Sequence, residues 1–192
     1  MNCVVRNLPL DVDVPVAAFK SAMRGLAGGV SVITVGRGRD ITGMTVTSVS
    51  SLSVDPPTLI VSVNRSSSSW PLLKRYGAFG VNILGAEQRD IAERFAGKDG
   101  VTGAARFDGA TWTADVTGTP MLVDALAAID CEVEETIERH SHAIVIGRVR
   151  AIRACPDQDA LAYFDGRYAA VESRQNATFD LTHAFPRGLR EI

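Results

Sequence analysis

Between Gly43 and Trp70 the chain reads GMTVTSVSSLSVDPPTLIVSVNRSSSSW, a run unusually rich in small hydroxyl side chains. Thr45, Thr47 and Ser51 recur at every second or fourth place, so on a strand they share one narrow polar face. In Thr58–Asn64, Leu59, Val61 and Val63 fall on one side while Ser62 and Asn64 fall on the other, the alternation of a half-buried strand. Arg65 and Ser66–Ser69 then lead into Trp70-Pro71-Leu72-Leu73. Ser69 stands where a helix cap is needed, and Pro71 is tolerated in a first turn because its missing N–H would have been unpaired. A helix start offers free backbone donors and a partial positive charge, and four hydroxyls and a guanidinium stand beside this one. That is chemistry suited to a phosphate. A polar loop with an ordinary cap is the competing reading, since Ser-rich turns are common.

Other reactive residues are sparse. His140 and His142 stand two apart in Arg139-His140-Ser141-His142-Ala143, sharing a face if the segment is a strand. As a metal pair they lack an evident third ligand, so no metal site is expected; a hydrogen-bonded edge histidine is the plainer reading. Gly36-Arg37-Gly38 has no third glycine at the dinucleotide spacing and is followed by a strand-like run, which excludes a Rossmann loop. Cys3, Cys131 and Cys155 are odd in number, widely spaced and without a CxxC pair, which argues against a disulfide framework or a zinc site.

The elements that must position these residues follow from periodicity. Phe19, Ala22, Met23 and Leu26 form a helical stripe closed by Gly28-Gly29 and expected to pack on a sheet. Val30–Val35 and Ile41–Ser48 form a hairpin about Gly36–Asp40. Pro56-Pro57 is expected to interrupt pairing. Leu72–Tyr76 continues a short helix, Ala78–Leu84 is a strand, and Ala86–Phe95 is a helix with Ile91 and Phe95 on its inner side. Gly97–Thr119 reads as a long loop holding one short strand. Strands follow about Ile129–Glu135 and Ile144–Val149, then a short helix over Pro156–Tyr163. Residues 1–14 read as an N-terminal arm, 15–171 as one domain, and 172–192 as a polar tail.

With 192 residues, 46% of them apolar, the chain can bury one sizeable core. A net charge of −2 without a lysine-rich block disfavours nucleic acid and anionic membrane as partners. The absence of a signal-like or membrane-length apolar run points to a cytoplasmic protein and a small-molecule ligand. Many short strands with few helices indicate a mainly β, antiparallel barrel with short flanking helices.

The order of Gly43–Pro57, the strand ending at Asn64, the Ser tract and Gly80-Val81-Asn82-Ile83-Leu84 resembles the flavin reductase family that serves two-component monooxygenases. The resemblance spans about Phe19 to Val171. It includes Phe95-Ala96-Gly97, the strand His142–Val149, and Ala162-Tyr163-Phe164-Asp165-Gly166-Arg167-Tyr168. It implies an FMN-binding split barrel of Greek-key-like antiparallel strands, a homodimer building flavin sites between its subunits, FMN or FAD as flavin, NADH or NADPH as hydride donor, and a partner oxygenase.

Carried over residue by residue, it implies flavin contacts at Thr45, Val46, Thr47, Ser48, Ser51, Ser62, Asn64, Ser67 and Ser69. Arg65, Ser68 and Ile83 complete the expected cofactor set. His142 matches the histidine placed near the nicotinamide, whereas His140 and Ser141 replace the family's glycine and acid. Arg167 is the candidate for a dinucleotide phosphate and Tyr168 for the pocket wall, although packing explains both. Hydride transfer between two cofactors needs no protein nucleophile or base, which accords with the lack of a triad or paired carboxylates. Two alternatives stay open: a split-barrel carrier or sensor that keeps its flavin, and a pyridoxamine-phosphate oxidase on a related barrel.

Overall fold

The computed structural model describes residues 13–155 and 157–173. Cys3, nearly all of the expected arm (1–14) and the tail beyond Ser173 lie outside the described residues. In chain order the elements are α1 (Val16–Met23), β1 (Gly28–Gly29), β2 (Ser31–Arg37), β3 (Asp40–Val46), β4 (Ser50–Val54), β5 (Pro57–Asn64), α2 (Ser69–Tyr76), β6 (Ala78–Ile83) and α3 (Arg89–Phe95). There follow β7 (Trp112–Ala114), β8 (Pro120–Leu122), β9 (Ala127–Arg139), β10 (His142–Ala154), β11 (Ala160–Phe164) and β12 (Arg167–Val171).

Seven strands form one antiparallel sheet in the order β3-β2-β6-β9-β10-β5-β4. Strands β2 and β5 are four places apart in that order, yet Ile33 and Val35 share a buried cluster with Leu59, Val61 and Val63. Only a sheet coiled into a barrel brings those side chains together. Helix α2 adds Trp70 and Leu73 to the same cluster, and Gly77 ends it in the left-handed conformation. Strand β2 is buried on both faces because a second cluster covers the barrel's outside, where Val32 meets Leu84, Phe95, Phe107 and Met121. In that outer layer Phe95, Phe107 and Trp112 pack ring on ring, with centroids 4.9–5.5 Å apart. The expected antiparallel barrel, the β2–β3 hairpin and the inner position of Phe95 are all present.

Four local expectations are corrected. The hydroxyl-rich run is not one strand: β3 ends at Val46, and residues 47–49 cross from one edge of the sheet to the other, where β4 begins. Alternating hydroxyls do not reveal where ladder pairing stops. Pro56-Pro57 turns the chain rather than interrupting pairing, because β4 and β5 pair right up to Val54 opposite Pro57. Residues 160–164 are strand β11, not the end of a helix. The turn Asp165-Gly166 has positive φ at both residues, the geometry of a tight hairpin, and locks β11 to β12 over the local helical preference of Ala160–Ala162. Finally, Gly28-Gly29 pairs with Ala162 and Tyr163, and among the described residues the apolar stripe is left uncovered: Phe19 on α1 is 59% and Leu26, just beyond it, 65% exposed.

Candidate functional site

The Ser tract forms a compact turn at the barrel's edge. Asn64 Oδ1 accepts from the Ser66 N–H at 3.0 Å and the Ser66 hydroxyl at 2.9 Å, and Ser67 N–H donates to Asn64 O at 3.1 Å. The cap is shifted by one place from the sequence expectation. Ser68 occupies it without a side-chain capping bond, its hydroxyl lying 3.4 Å from that of Thr42, and Ser69 is the first helical residue. Ser69 is fully buried, and the hydroxyls of Ser67 and Ser69 are buried without a hydrogen-bond partner among the described residues. Unpaired buried hydroxyls are costly, so two in adjacent turns point to a missing acceptor or donor.

These residues open on a cavity of about 300 Å³ lined by Gly43, Met44, Thr45, Asn64, Ser67, Ser68, Ser69, Phe95, Ala96 and Arg106. Arg65, the expected cation beside the tract, is engaged elsewhere: it pairs with Glu138 at 2.6 Å and donates to His140 O at 3.0 Å. The guanidinium lining the cavity belongs to Arg106, from the long loop. Its Nε donates to Val101 O at 2.9 Å and its Nη1 to Gly43 O and Phe95 O. Gly43 lets Phe95 pack close against β3, since a Cβ there would stand 2.5 Å from Ile33 O and 2.7 Å from the Phe95 ring. Sequence reasoning missed Arg106 because nothing in local spacing ties residue 106 to residues 67–69. The length of the loop was the one available hint.

A second cavity of about 260 Å³ is lined by Val30, Thr45, Val46, Thr47, Ala96, Tyr163 and Tyr168. It shares Thr45 and Ala96 with the first, so the two border one another. Tyr163 and Tyr168 pack edge to face at 5.2 Å, and the Arg89 guanidinium lies 5.5 Å from the Tyr168 ring centroid. Burial, chiefly, pushes the Tyr168 phenol above its ordinary pKa, so its hydroxyl stays protonated as a donor. The Thr45 hydroxyl is spent on Ala92 O at 2.6 Å, which leaves its main chain, on the outer edge of β3, to face the cavities.

His142 opens β10 directly across from Asn64, which brings it beside the tract. It is exposed, with its Nδ1 2.9 Å from the Ser141 hydroxyl. His140 does not share a strand face with it, since it occupies the hairpin turn at φ 49°. Ser48 bridges to the main chain of Ser62, its hydroxyl donating to the carbonyl at 3.1 Å and accepting from the N–H at 3.3 Å, which braces the crossing segment against β5. Six residues of the expected cofactor set do not line these cavities: Ser48 and Ser62, bonded to one another, Arg65, paired with Glu138, and Ser51, Ile83 and Arg167. Ser51 lies exposed on β4, Ile83 packs against the inner core, and Arg167 points to solvent, 3.8 Å from Asp165. Strand alternation explains the last: Tyr168 faces the cavity, so its neighbour faces away.

Residues 23–172 match the family model described as a flavin reductase like domain. A protein named FMN reductase (NADH) RutF, from Pseudomonas syringae pv. syringae (strain B728a), is 39% identical over 160 residues, covering 83% of this chain and 89% of that one. BorF, the flavin reductase component of a bacterial two-component tryptophan halogenase, has a similar structure. Its TM-score is 0.76 at 30% identity, covering 82% of this chain and 99% of that one. The styrene monooxygenase flavin reductase of Pseudomonas putida S12 superposes with a TM-score of 0.70 at 34% identity, covering 81% of this chain and 97% of that one. The family match spans most of the barrel and both cavities, and the chain belongs to the flavin reductase like domain family.

Proposed function

We infer that the chain is an NAD(P)H-dependent flavin reductase that transfers hydride from nicotinamide to FMN, or FAD, and hands the reduced flavin to a partner monooxygenase. The observation that carries this reading is the pair of bordering cavities, one ending in unpartnered buried hydroxyls and an arginine, the other walled by two tyrosines. A flavin nucleotide has a phosphate for the first end and a flat apolar ring that suits an aromatic wall. Family membership and the relatives' names support the same chemistry.

When bound, the flavin supplies the hydride acceptor at N5, and nicotinamide C4 supplies the hydride, so the protein contributes no nucleophile. The chain's work is alignment. Main-chain groups of Thr45 and Val46 at the edge strand β3, and of Thr47 just beyond it, offer donors and acceptors to a ring system. Asn64 and Ser66–Ser68 form a rigid turn that holds the polar end. His142, placed opposite Asn64, is a positioning residue for the nicotinamide. Replacing it by alanine is expected to lower kcat for NADH oxidation by roughly tenfold while changing FMN affinity less than about twofold; the reverse pattern removes His142 from that role.

The protein is a homodimer in this reading. The bare apolar stripe of α1 and the adjoining groove of about 820 Å³, lined by Phe19, Met23, Leu26, Val49 and Tyr163, offer a face for a second copy. No helix among the described residues is long and apolar enough to cross a membrane. The proposed setting is the cytoplasm, where nicotinamide nucleotides are available. Steady-state NADH consumption with FMN tests the activity, with FAD and NADPH as alternatives. Failure with every pair refutes it.

A further inference from the structure

We propose that Arg65 is a positioning residue for nicotinamide use: it clamps the tip of the β9–β10 hairpin to the turn that follows β5, and so fixes where His142 stands relative to the cavities. The assignment rests on the reading of His142 as the neighbour of the nicotinamide and deepens it by naming what holds that side chain in place. It gives Arg65, which lines neither cavity, a task other than the cofactor contact expected from sequence.

The need for a clamp follows from the sheet. Strand β6 pairs with β9 only from Ala127 to Glu132. From Glu135 to Arg139, β9 therefore has a strand neighbour on one side alone, the β10 strand of its own hairpin. A two-stranded ribbon is marginal by itself. Its tip also carries His140 at φ 49°, a left-handed conformation that persists in a non-glycine residue only where the surroundings hold it. Arg65 supplies that hold at three points. Its N–H donates to Ser141 O at 3.0 Å, its Nη1 donates to His140 O at 3.0 Å, and its Nη2 pairs with Glu138 Oε2 at 2.6 Å. A planar guanidinium reaches the carbonyl and the carboxylate together, which a single ammonium does less well. Ser141, whose carbonyl Arg65 holds, in turn places its hydroxyl 2.9 Å from His142 Nδ1.

The main chain of Arg65 belongs to the other half of the site. Asn64, just before it, and Ser67, two places on, line the first cavity, and Asn64 stands directly across from His142. Arg65 is thus the joint between the turn at the flavin end and the hairpin that carries His142. The Arg65 and Glu138 side chains are 41% and 42% exposed, so their ion pair contributes little to overall stability. Loss of the guanidinium frees the tip without unfolding the barrel, and the cost falls on nicotinamide alignment rather than on flavin binding.

Steady-state kinetics with FMN and NADH test this. Arg65→Met keeps the stem and the main-chain bond but removes the guanidinium, and is expected to lower kcat about fivefold while FMN affinity changes less than about twofold. Arg65→Lys should recover part of the loss. Action through His142 makes the two effects non-additive, so the Arg65→Met/His142→Ala variant is expected to be no slower than His142→Ala alone. Multiplied losses, an Arg65→Met variant as fast as wild type, or an equal weakening of FMN binding overturns the proposal while the reading of His142 stands. If His142→Ala leaves NADH oxidation unchanged, that reading fails and the positioning role falls with it. Hydrogen exchange read by mass spectrometry tests the clamp without turnover: amides of residues 135–142 should exchange about tenfold faster in Arg65→Met, with those of β2 and β6 unchanged. Exchange as slow as in wild type overturns the clamp whatever the kinetics show.

Discussion

Cys131 shows at the level of one side chain how the interior of this barrel suppresses reactivity. It sits fully buried on β9, and burial, with the nearby Asp130 carboxylate in second place, pushes its thiol up to about 12. The folded-state value is raised above the ordinary one, so the associated stability is complete below the ordinary thiol pKa and is lost as pH rises from about 9 toward 12. Cys155 is exposed. Thiol labelling at pH 8 followed by peptide mass spectrometry is expected to modify Cys155 within minutes and Cys131 only after denaturation. Rapid labelling of Cys131 in the native state would contradict this. Asn82 is equally committed to structure: its side chain donates to Val32 O at 3.1 Å and accepts from the Leu122 N–H at 2.7 Å, pinning β8 to the barrel. Asn82→Ala strands those buried backbone groups and should cost about 1–3 kcal/mol in urea unfolding. A variant as stable as wild type would show that β8 needs no such pin.

Among the elements, the outer layer of α3, the 97–111 loop and β8 decides whether the cavities keep their shape. Phe95 is its centre, touching Phe107, Trp112 and the backbone at Gly43. Phe95→Ala is expected to destabilise the fold by about 3–5 kcal/mol and to weaken FMN binding, because Arg106 is tied to the Phe95 carbonyl in the same layer. Equilibrium unfolding alongside FMN titration checks both; normal flavin affinity in a destabilised variant would uncouple this layer from the site. The strands were legible because their apolar residues alternate: Leu59, Val61 and Val63, or Ile33 and Val35, carry their burial in the spacing. Ser67–Ser69, Thr45 to Thr47 and Tyr168 were expected as cofactor contacts from order and family likeness, and they line the two cavities. Arg106 was not, since a distance of 39 residues along the chain is closed only by coiling of the sheet and docking of the loop. Strand β11 was misread because Ala160-Leu161-Ala162 suits a helix locally, and pairing with β1 and β12 overrides that preference.

For the molecule as a whole, an apolar helix with no buried residue is a poor fit to a lone subunit. Sedimentation at micromolar concentration is expected to give twice the 20.5 kDa chain mass, and Phe19→Glu should shift it to one. A wild-type monomer would leave α1 unexplained and remove the second copy from the proposed site. In the proposed reading the barrel, its bordering cavities and the helix start hold two coenzymes in register, with the chemistry left to them. Anaerobic mixing of the protein with one equivalent each of FMN and NADH measures that most directly. The expected result is bleaching of the flavin absorption matched mole for mole by loss of NADH, slowed when the transferred hydrogen at nicotinamide C4 is deuterium. A protein that stays yellow and leaves NADH intact, with FAD and NADPH giving the same outcome, would contradict it.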